Sequence, residues 1–171
     1  IPKTSMRNRT SMFSLIFFAV ALLLFWLFYP TEEEQILARF EELSDIASKS
    51  GAASTIVDAL VLDDFRSLFA PTVLLKTGRS RLAGEYTNQE LMQLYGRIRL
   101  QAKRLSLRFE RIEFVSLNDA DATVTADVHA EGTAKQGKNR AESFRVEVRL
   151  SKLDGDWLFH QFMYLDSFAN D

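Results

Sequence analysis

An uninterrupted apolar segment from Met12 to Tyr29 limits more than any other feature how this chain can fold. Ser14 is its only polar side chain before the terminal aromatic residues, and the segment contains no charged residue. As a helix rising ~1.5 Å per residue, the segment would reach about 27 Å, close to the ~30 Å hydrocarbon core of a bilayer. The pattern predicts a transmembrane anchor over residues 12–29.

Charges on the two sides of this segment predict its orientation. Lys3, Arg7 and Arg9 precede it, and three glutamates, 32–34, follow it. Because basic flanks stay in the cytoplasm, we expect residues 1–11 to form a cytoplasmic tail. The C-terminal part would then cross the inner membrane, into the periplasm if the source is bacterial. The anchor contacts are predicted at Phe13, Phe17, Phe18, Phe25, Trp26 and Tyr29.

A cleaved signal peptide is the competing interpretation, since it also has a basic start and an apolar middle. Cleavage requires small residues at the end of the apolar stretch. Here that end is bulky, and Ala19 and Ala21 lie deep inside it. The sequence therefore favours an uncleaved anchor.

The sequence contains no cysteine and only two histidines, His129 and His160. Disulfides, thiolate catalysis and cysteine-ligated metals are therefore excluded for this sequence. We predict neither a metal nor another cofactor.

Hydrophobic periodicity predicts an α+β domain over residues 31–171, beginning with three helices. The first helix follows a Thr31 cap and the second ends before Pro71. The third begins at Asn88, behind a capping box formed by Thr87 and Glu90. Apolar residues at spacings of three and four mark one buried face on each helix.

After the third helix the apolar period changes to two, which predicts long antiparallel strands. The apolar phase slips between Phe109 and Ile112, as expected of a β-bulge that bends the sheet. A strand with one wet face follows over 122–131, and Asp154-Gly155 predicts the last hairpin turn. The predicted fold is three N-terminal helices packed on one face of a curved antiparallel sheet.

This order of elements resembles the nuclear transport factor 2 superfamily, which includes ketosteroid isomerase and scytalone dehydratase. The resemblance covers nearly all of residues 31–171 and implies a cone-shaped α+β domain. The motifs that carry it are Phe69-Ala70-Pro71 leading into Val73-Leu74-Leu75, then Gly84 before the capped Thr87, and the closing Asp154-Gly155-Asp156-Trp157.

Enzymes of that superfamily place an acid or base in the mouth of the cone, assisted by a tyrosine or a second acid. The resemblance thus offers Asp63, Asp64 and Tyr95, together with His160 and Tyr164, which are four apart and on one face of a regular strand. A packed histidine and solvated aspartates are the more common outcome for such residues. We predict no catalytic residue.

Basic residues concentrate in residues 76–111, where nine face only three acidic ones. Such a patch could meet lipid head groups or an acidic partner, or it could be a solvated face balanced by acidic helices. The orientation makes nucleic acid an unsuitable partner. The predicted patch comprises Arg97, Arg99, Lys103, Arg104 and Arg108.

The last strand is apolar on both faces if it is regular. In a sheet with one solvent-exposed face, polar and apolar residues should alternate along each strand. A strand that is apolar on both faces is therefore usually covered on both sides. We predict that another chain, either a copy of this one or a different subunit, covers its second face. The predicted interface comprises Trp157, Phe159, Phe162, Met163 and Tyr164.

Taken together, these features predict a non-catalytic accessory or scaffold subunit of a membrane complex, with the bilayer and other subunits as partners. One alternative is a domain that binds a lipid or another small apolar ligand. The other is an enzyme of the isomerase or dehydratase type.

Overall fold

The chain forms two compact units, residues 1–34 and residues 35–171, and we call the second unit the domain. The computed structural model describes residues 17–18, 30–50, 55–77 and 82–167.

Only two residues of the predicted anchor are described, Phe17 and Phe18, and both are helical with exposed side chains. Phe13, Phe25, Trp26 and Tyr29 lie outside the described residues, as does the predicted cytoplasmic tail. Within the described ranges, no helix combines the length and the hydropathy of a membrane span.

The described part of the chain contains three long helices, at the positions that the sequence predicted. They are α1 (Glu32–Ala47), α2 (Thr55–Ser67) and α3 (Asn88–Gln101). Both predicted caps form: the amide of Glu34 donates to Thr31 Oγ1 at 3.2 Å, and Thr87 with Glu90 makes a complete capping box. The second helix ends at Ser67, before Pro71 as predicted.

Among the described residues, seven strands form one sheet in the order β1-β4-β5-β6-β7-β2-β3. The prediction of a purely antiparallel sheet is wrong at one pair, because β2 and β7 run parallel. A parallel pair needs a long connection, which β3 through β6 provide. The strands are β1 (Lys49–Ser50), β2 (Phe69–Lys76), β3 (Gly84–Thr87), β4 (Ala102–Leu117), β5 (Asp121–Ala134), β6 (Asn139–Leu153) and β7 (Asp156–Ser167).

Pro71 lies inside β2, where a proline could not donate to a ladder. The register between β2 and β7 shifts between Phe69 and Leu74, so the proline occupies an irregular stretch of the pairing. The short edge strand β3 was not predicted, because its region reads as a charged, glycine-containing connection.

The bulge predicted from the apolar phase slip is confirmed in β4. Glu110 pairs with Asp127 and Glu113 with Thr125, which leaves Arg111 and Ile112 against a single residue of β5. Arg111 adopts a φ of 46°, a left-handed conformation that a bulge accommodates. The bulge turns Ile112 toward the core and Arg111 toward the opposite face of the sheet.

The C-terminal ends of α1 and α3 stabilise each other. Arg99 of α3 donates to the carbonyl oxygen of Ser48 at 3.2 Å, just after α1, and Tyr95 donates to the carbonyl of Ile46 at 2.7 Å. In return, Lys49 Nζ donates to the carbonyl oxygen of Arg99 at 3.2 Å. Each cation lies at the negative end of the other helix dipole and donates to a carbonyl group there, which stabilises both helix ends.

Candidate functional site

The inner face of the sheet, which faces the helices, is covered by aromatic side chains. The ring of Phe40 packs edge-on against Phe109 and Phe159, each with centroids 5.1 Å apart. Phe65 stacks on Tyr95 at 4.0 Å. These rings pack together with the small side chains of β5.

Buried polar groups are scarce in the described part of the chain. The buried polar or charged side chains there are Arg99, Asp127, Ser143 and Gln161. The last three belong to the outer face of the sheet, because they pair across strands with exposed or outward residues. The inner face thus has no buried carboxylate or histidine among the described residues.

The outer face carries a charged cluster centred on Asp127, whose side chain is 1% exposed. Its two carboxylate oxygens bind different arginines: Oδ1 accepts from Arg145 Nε at 2.7 Å, and Oδ2 lies 3.2 Å from Arg111 Nε. The hydrogen bond from Arg145 holds the pKa of Asp127 below its usual range, against the opposing effect of burial. An ionised carboxylate of this kind positions cations and does not donate protons.

His129 lies beside Asp127 on the same face of β5. Its Nδ1 is 2.9 Å from Ser143 Oγ, and its Nε2 is 3.5 Å from a carboxylate oxygen of Glu110. The sequence placed His129 correctly on the polar side of its strand. It did not indicate that Asp127 would be buried, because strict alternation predicts a solvated residue there.

Two further bulges, at His160 and Leu165, explain the pattern of the last strand. Leu150 pairs with Phe159 but Arg149 pairs with Gln161, so His160 is an extra residue and the apolar phase changes there. The strand therefore does not need a second covered face to explain its composition.

The predicted interface residues of β7 consequently fall into two groups, one fully buried and one partly exposed. Trp157 and Phe159 are 1% and 0% exposed in the domain's own core, so they offer no surface to a partner. Phe162 and Tyr164 are half-buried on the inner side, and Met163 pairs with Glu147 on the outer side. A partner contact at these last three residues stays a prediction.

The expectation that His160 and Tyr164 lie on the same face of the last strand is wrong. Tyr164 pairs with Val146 and its ring lies 5.6 Å from that of Phe144, whereas the charges that act on His160 are Asp121 and Arg149. Because of the bulge at His160, the side chains of His160 and Tyr164 do not share one face, as they would in a regular strand. Asp63 and Asp64 are exposed on α2.

Burial lowers the pKa of His160, opposed by Asp121 and aided by Arg149. A histidine whose pKa is depressed in the folded state binds a proton more readily in the unfolded state. The folded chain therefore loses stability as pH falls below the unfolded-state pKa of about 6.5. Acidification from neutral pH should therefore destabilise the native chain more than His160→Gln. Urea unfolding of both proteins across this range checks the prediction, and equal pH profiles would contradict it.

The predicted basic patch loses one member. Arg97, Lys103, Arg104 and Arg108 are exposed, but Arg99 is 5% exposed and binds carbonyl groups inside the domain. Among the described residues, no group of acidic and histidine side chains is arranged to hold a metal ion.

No protein-family model and no curated protein sequence matches the chain. Solved structures do. A Novosphingobium aromaticivorans protein assigned as an aromatic ring hydroxylase gives a TM-score of 0.64 at 11% identity, covering 80% of this chain and 88% of its own. Another from that organism, assigned as a scytalone dehydratase, gives 0.62 at 13% identity, covering 80% and 85%.

A third solved structure names the fold family directly. This Streptomyces avermitilis protein, assigned as a dehydratase of the NTF2-like family, gives a TM-score of 0.60 at 11% identity, covering 81% of this chain and 98% of its own. Identities this low establish the fold alone. The domain has the nuclear transport factor 2-like fold, in agreement with the sequence resemblance.

Proposed function

We propose that this protein is a non-catalytic subunit of a membrane complex, whose domain binds another protein outside the cytoplasm. The interior of the domain carries the proposal. Aromatic rings pack across it, and no buried carboxylate or histidine among the described residues reaches it. Apart from Arg99 and Asp127, no charged side chain among the described residues is buried, and exposed charges suit recognition.

The anchoring part of the proposal rests on the apolar segment 12–29 and its charged flanks. Lysine at the centre of a membrane helix costs about 2.5–3.5 kcal/mol, so two lysines should prevent insertion. The full chain with a C-terminal tag should stay in the membrane pellet after alkaline carbonate washing, and Leu22→Lys with Leu23→Lys should release it.

Topology and membrane retention share one control variant. In a Gram-negative host, protease added to spheroplasts should digest the domain of the native chain, and Leu60→Lys, on an exposed α2 position, should leave both results unchanged. Release of the native chain by carbonate, or a mature chain beginning after Pro30, would contradict anchoring.

The partner is tested by purification of the full chain from native membranes in a mild detergent. We expect a complex of defined stoichiometry that contains a second kind of subunit. Recovery of the chain alone as a monomer would contradict the proposal, and recovery as a homo-oligomer would restrict it to self-association.

The names of the similar structures favour a second candidate, an enzyme of the dehydratase type. Such an enzyme would bind an apolar substrate within the cone, and so would a lipid-binding domain. Native mass spectrometry of the purified full chain distinguishes these from our proposal: a small molecule bound at one per chain would favour a ligand-binding or catalytic function.

A further inference from the structure

Two segments distant in the sequence meet at one end of the sheet, and both are basic. Residues 97–104 and 132–141 together contain seven basic residues and no acidic one. The sequence patch included only the first segment, because nothing in the sequence shows which turn lies beside it. The basic residues are Arg97, Arg99, Lys103, Arg104, Lys135, Lys138 and Arg140.

Strand register brings the two segments together. Arg104 pairs with Thr133 across β4 and β5, and Thr133 pairs with Asn139 across β5 and β6. The amide of Lys135 donates to the carbonyl oxygen of Gln101 at 3.1 Å, which joins the β5–β6 turn to the end of α3. Neighbouring strands are about 4.8 Å apart, so these cations share one continuous surface.

Apart from the buried Arg99, all these basic residues are exposed. We call the six exposed cations the basic end. Within the described residues none of the six forms a salt bridge, in contrast to Arg108, which lies 4.0 Å from Glu131. The basic end therefore presents uncompensated positive charge.

Apolar side chains interrupt this charge. Ile98 is 43% exposed and Leu100 is 63% exposed, and both lie on α3 between the cations. Protein interfaces combine apolar contacts with arginine, whereas a nucleic-acid backbone or free phosphate makes no use of exposed leucine. The composition thus favours a protein over a nucleic acid.

The basic end and the entry of the chain lie at different parts of the domain. It adjoins the C-terminal end of α1, where Lys49 pairs with Leu105 of β4. The middle of α1 contacts the start of β7 through Arg39 and Asp156. From Gln35 to Ala47 the helix extends about 20 Å at ~1.5 Å per residue, so the basic end lies away from where the chain enters the domain.

We propose that the basic end binds an acidic segment of a partner protein, with Leu100 contacting an apolar residue of that segment. This inference rests on the proposed function and names the chemistry of the partner. Attraction between exposed charges is screened by salt, so the binding should weaken as ionic strength rises.

The probe is a fluorescent peptide of glutamates with two leucines, added to the full chain in neutral detergent micelles and followed by anisotropy. We expect binding that Lys103→Glu with Lys138→Glu weakens by about tenfold or more. The matched control reverses two exposed cations elsewhere, Arg66→Glu with Lys76→Glu, and should stay within about twofold of the native chain.

Three results would overturn this docking proposal: no peptide binding by the native chain, equal loss in both double variants, or displacement of the peptide by a few mole percent of phosphatidylglycerol in the micelles. The last would assign the basic end to an anionic membrane. If the basic-end variant still co-purifies with its partner from membranes, the docking site is wrong while the proposed function stands.

Discussion

Replacing Arg99 with methionine should lower the free energy of unfolding of the domain by about 3 kcal/mol. The guanidinium is 5% exposed and donates to the carbonyl oxygen of Ser48 at 3.2 Å and to the Tyr95 hydroxyl at 2.9 Å. Methionine fills a similar volume but donates no hydrogen bond. The carbonyl group after α1 would lose its buried donor, and the helix dipole would lose its cation.

Urea unfolding of the full chain in a neutral detergent measures this loss, with a fall in Tm of about 10 °C as a second reading. The matched control is Arg97→Met, two residues earlier on the same helix, where the side chain is exposed. We expect that variant to change stability by less than about 0.5 kcal/mol. Similar losses in the two variants would show that Arg99 acts only through general helix composition.

The ends of the helices were predictable because their signals are local. Thr87 and Glu90 lie within one turn, and their reciprocal hydrogen bonds need no distant partner. The β4 bulge was predictable for a related reason, since its slip from Phe109 to Ile112 is visible within one strand. Local chemistry thus predicted the three helices and the consecutive strands β4 to β7, but not the edge strands β1 and β3 or the parallel pairing of β2 with β7.

The bulge at His160 was not predictable in the same way. Apolar residues fall on both sides of it, so the sequence is equally compatible with a regular strand covered on both faces. Only the pairing with β6, in which Phe159 meets Leu150 and Gln161 meets Arg149, distinguishes the two. A regular strand was assumed, and the interface and the pairing of His160 with Tyr164 were both derived from that assumption.

Burial of Asp127 depended on residues from two other strands. Alternation correctly places Asp127 on the polar face of β5, but residues on a polar face are usually exposed to solvent. Arg145 is opposite it in β6, and the left-handed Arg111 reaches it from the β4 bulge. The bulge itself was predicted, but not which side chain it would direct onto its neighbour.

Replacing Asp127 with asparagine should cost about 2–3 kcal/mol of unfolding free energy at neutral pH. The amide can still accept from Arg145, but its nitrogen would face Arg111, donor against donor, in a site 1% exposed. Glu131→Gln is the matched control, because that carboxylate is 61% exposed and lies 4.0 Å from Arg108. An exposed pair of this kind contributes less than about 1 kcal/mol, so the control should be close to the native chain.

The pH dependence separates the charge of Asp127 from its shape. Its pKa is lowered in the folded state, chiefly by the hydrogen bond from Arg145, so its contribution is complete above the unfolded value of about 3.9. That contribution is lost as pH falls through the lower folded-state pKa. The stability difference between native chain and Asp127→Asn should therefore shrink progressively below about pH 4. Urea unfolding from neutral to acidic pH measures it, and a constant difference would mean that packing around Asp127, not its ionisation, holds the three strands together.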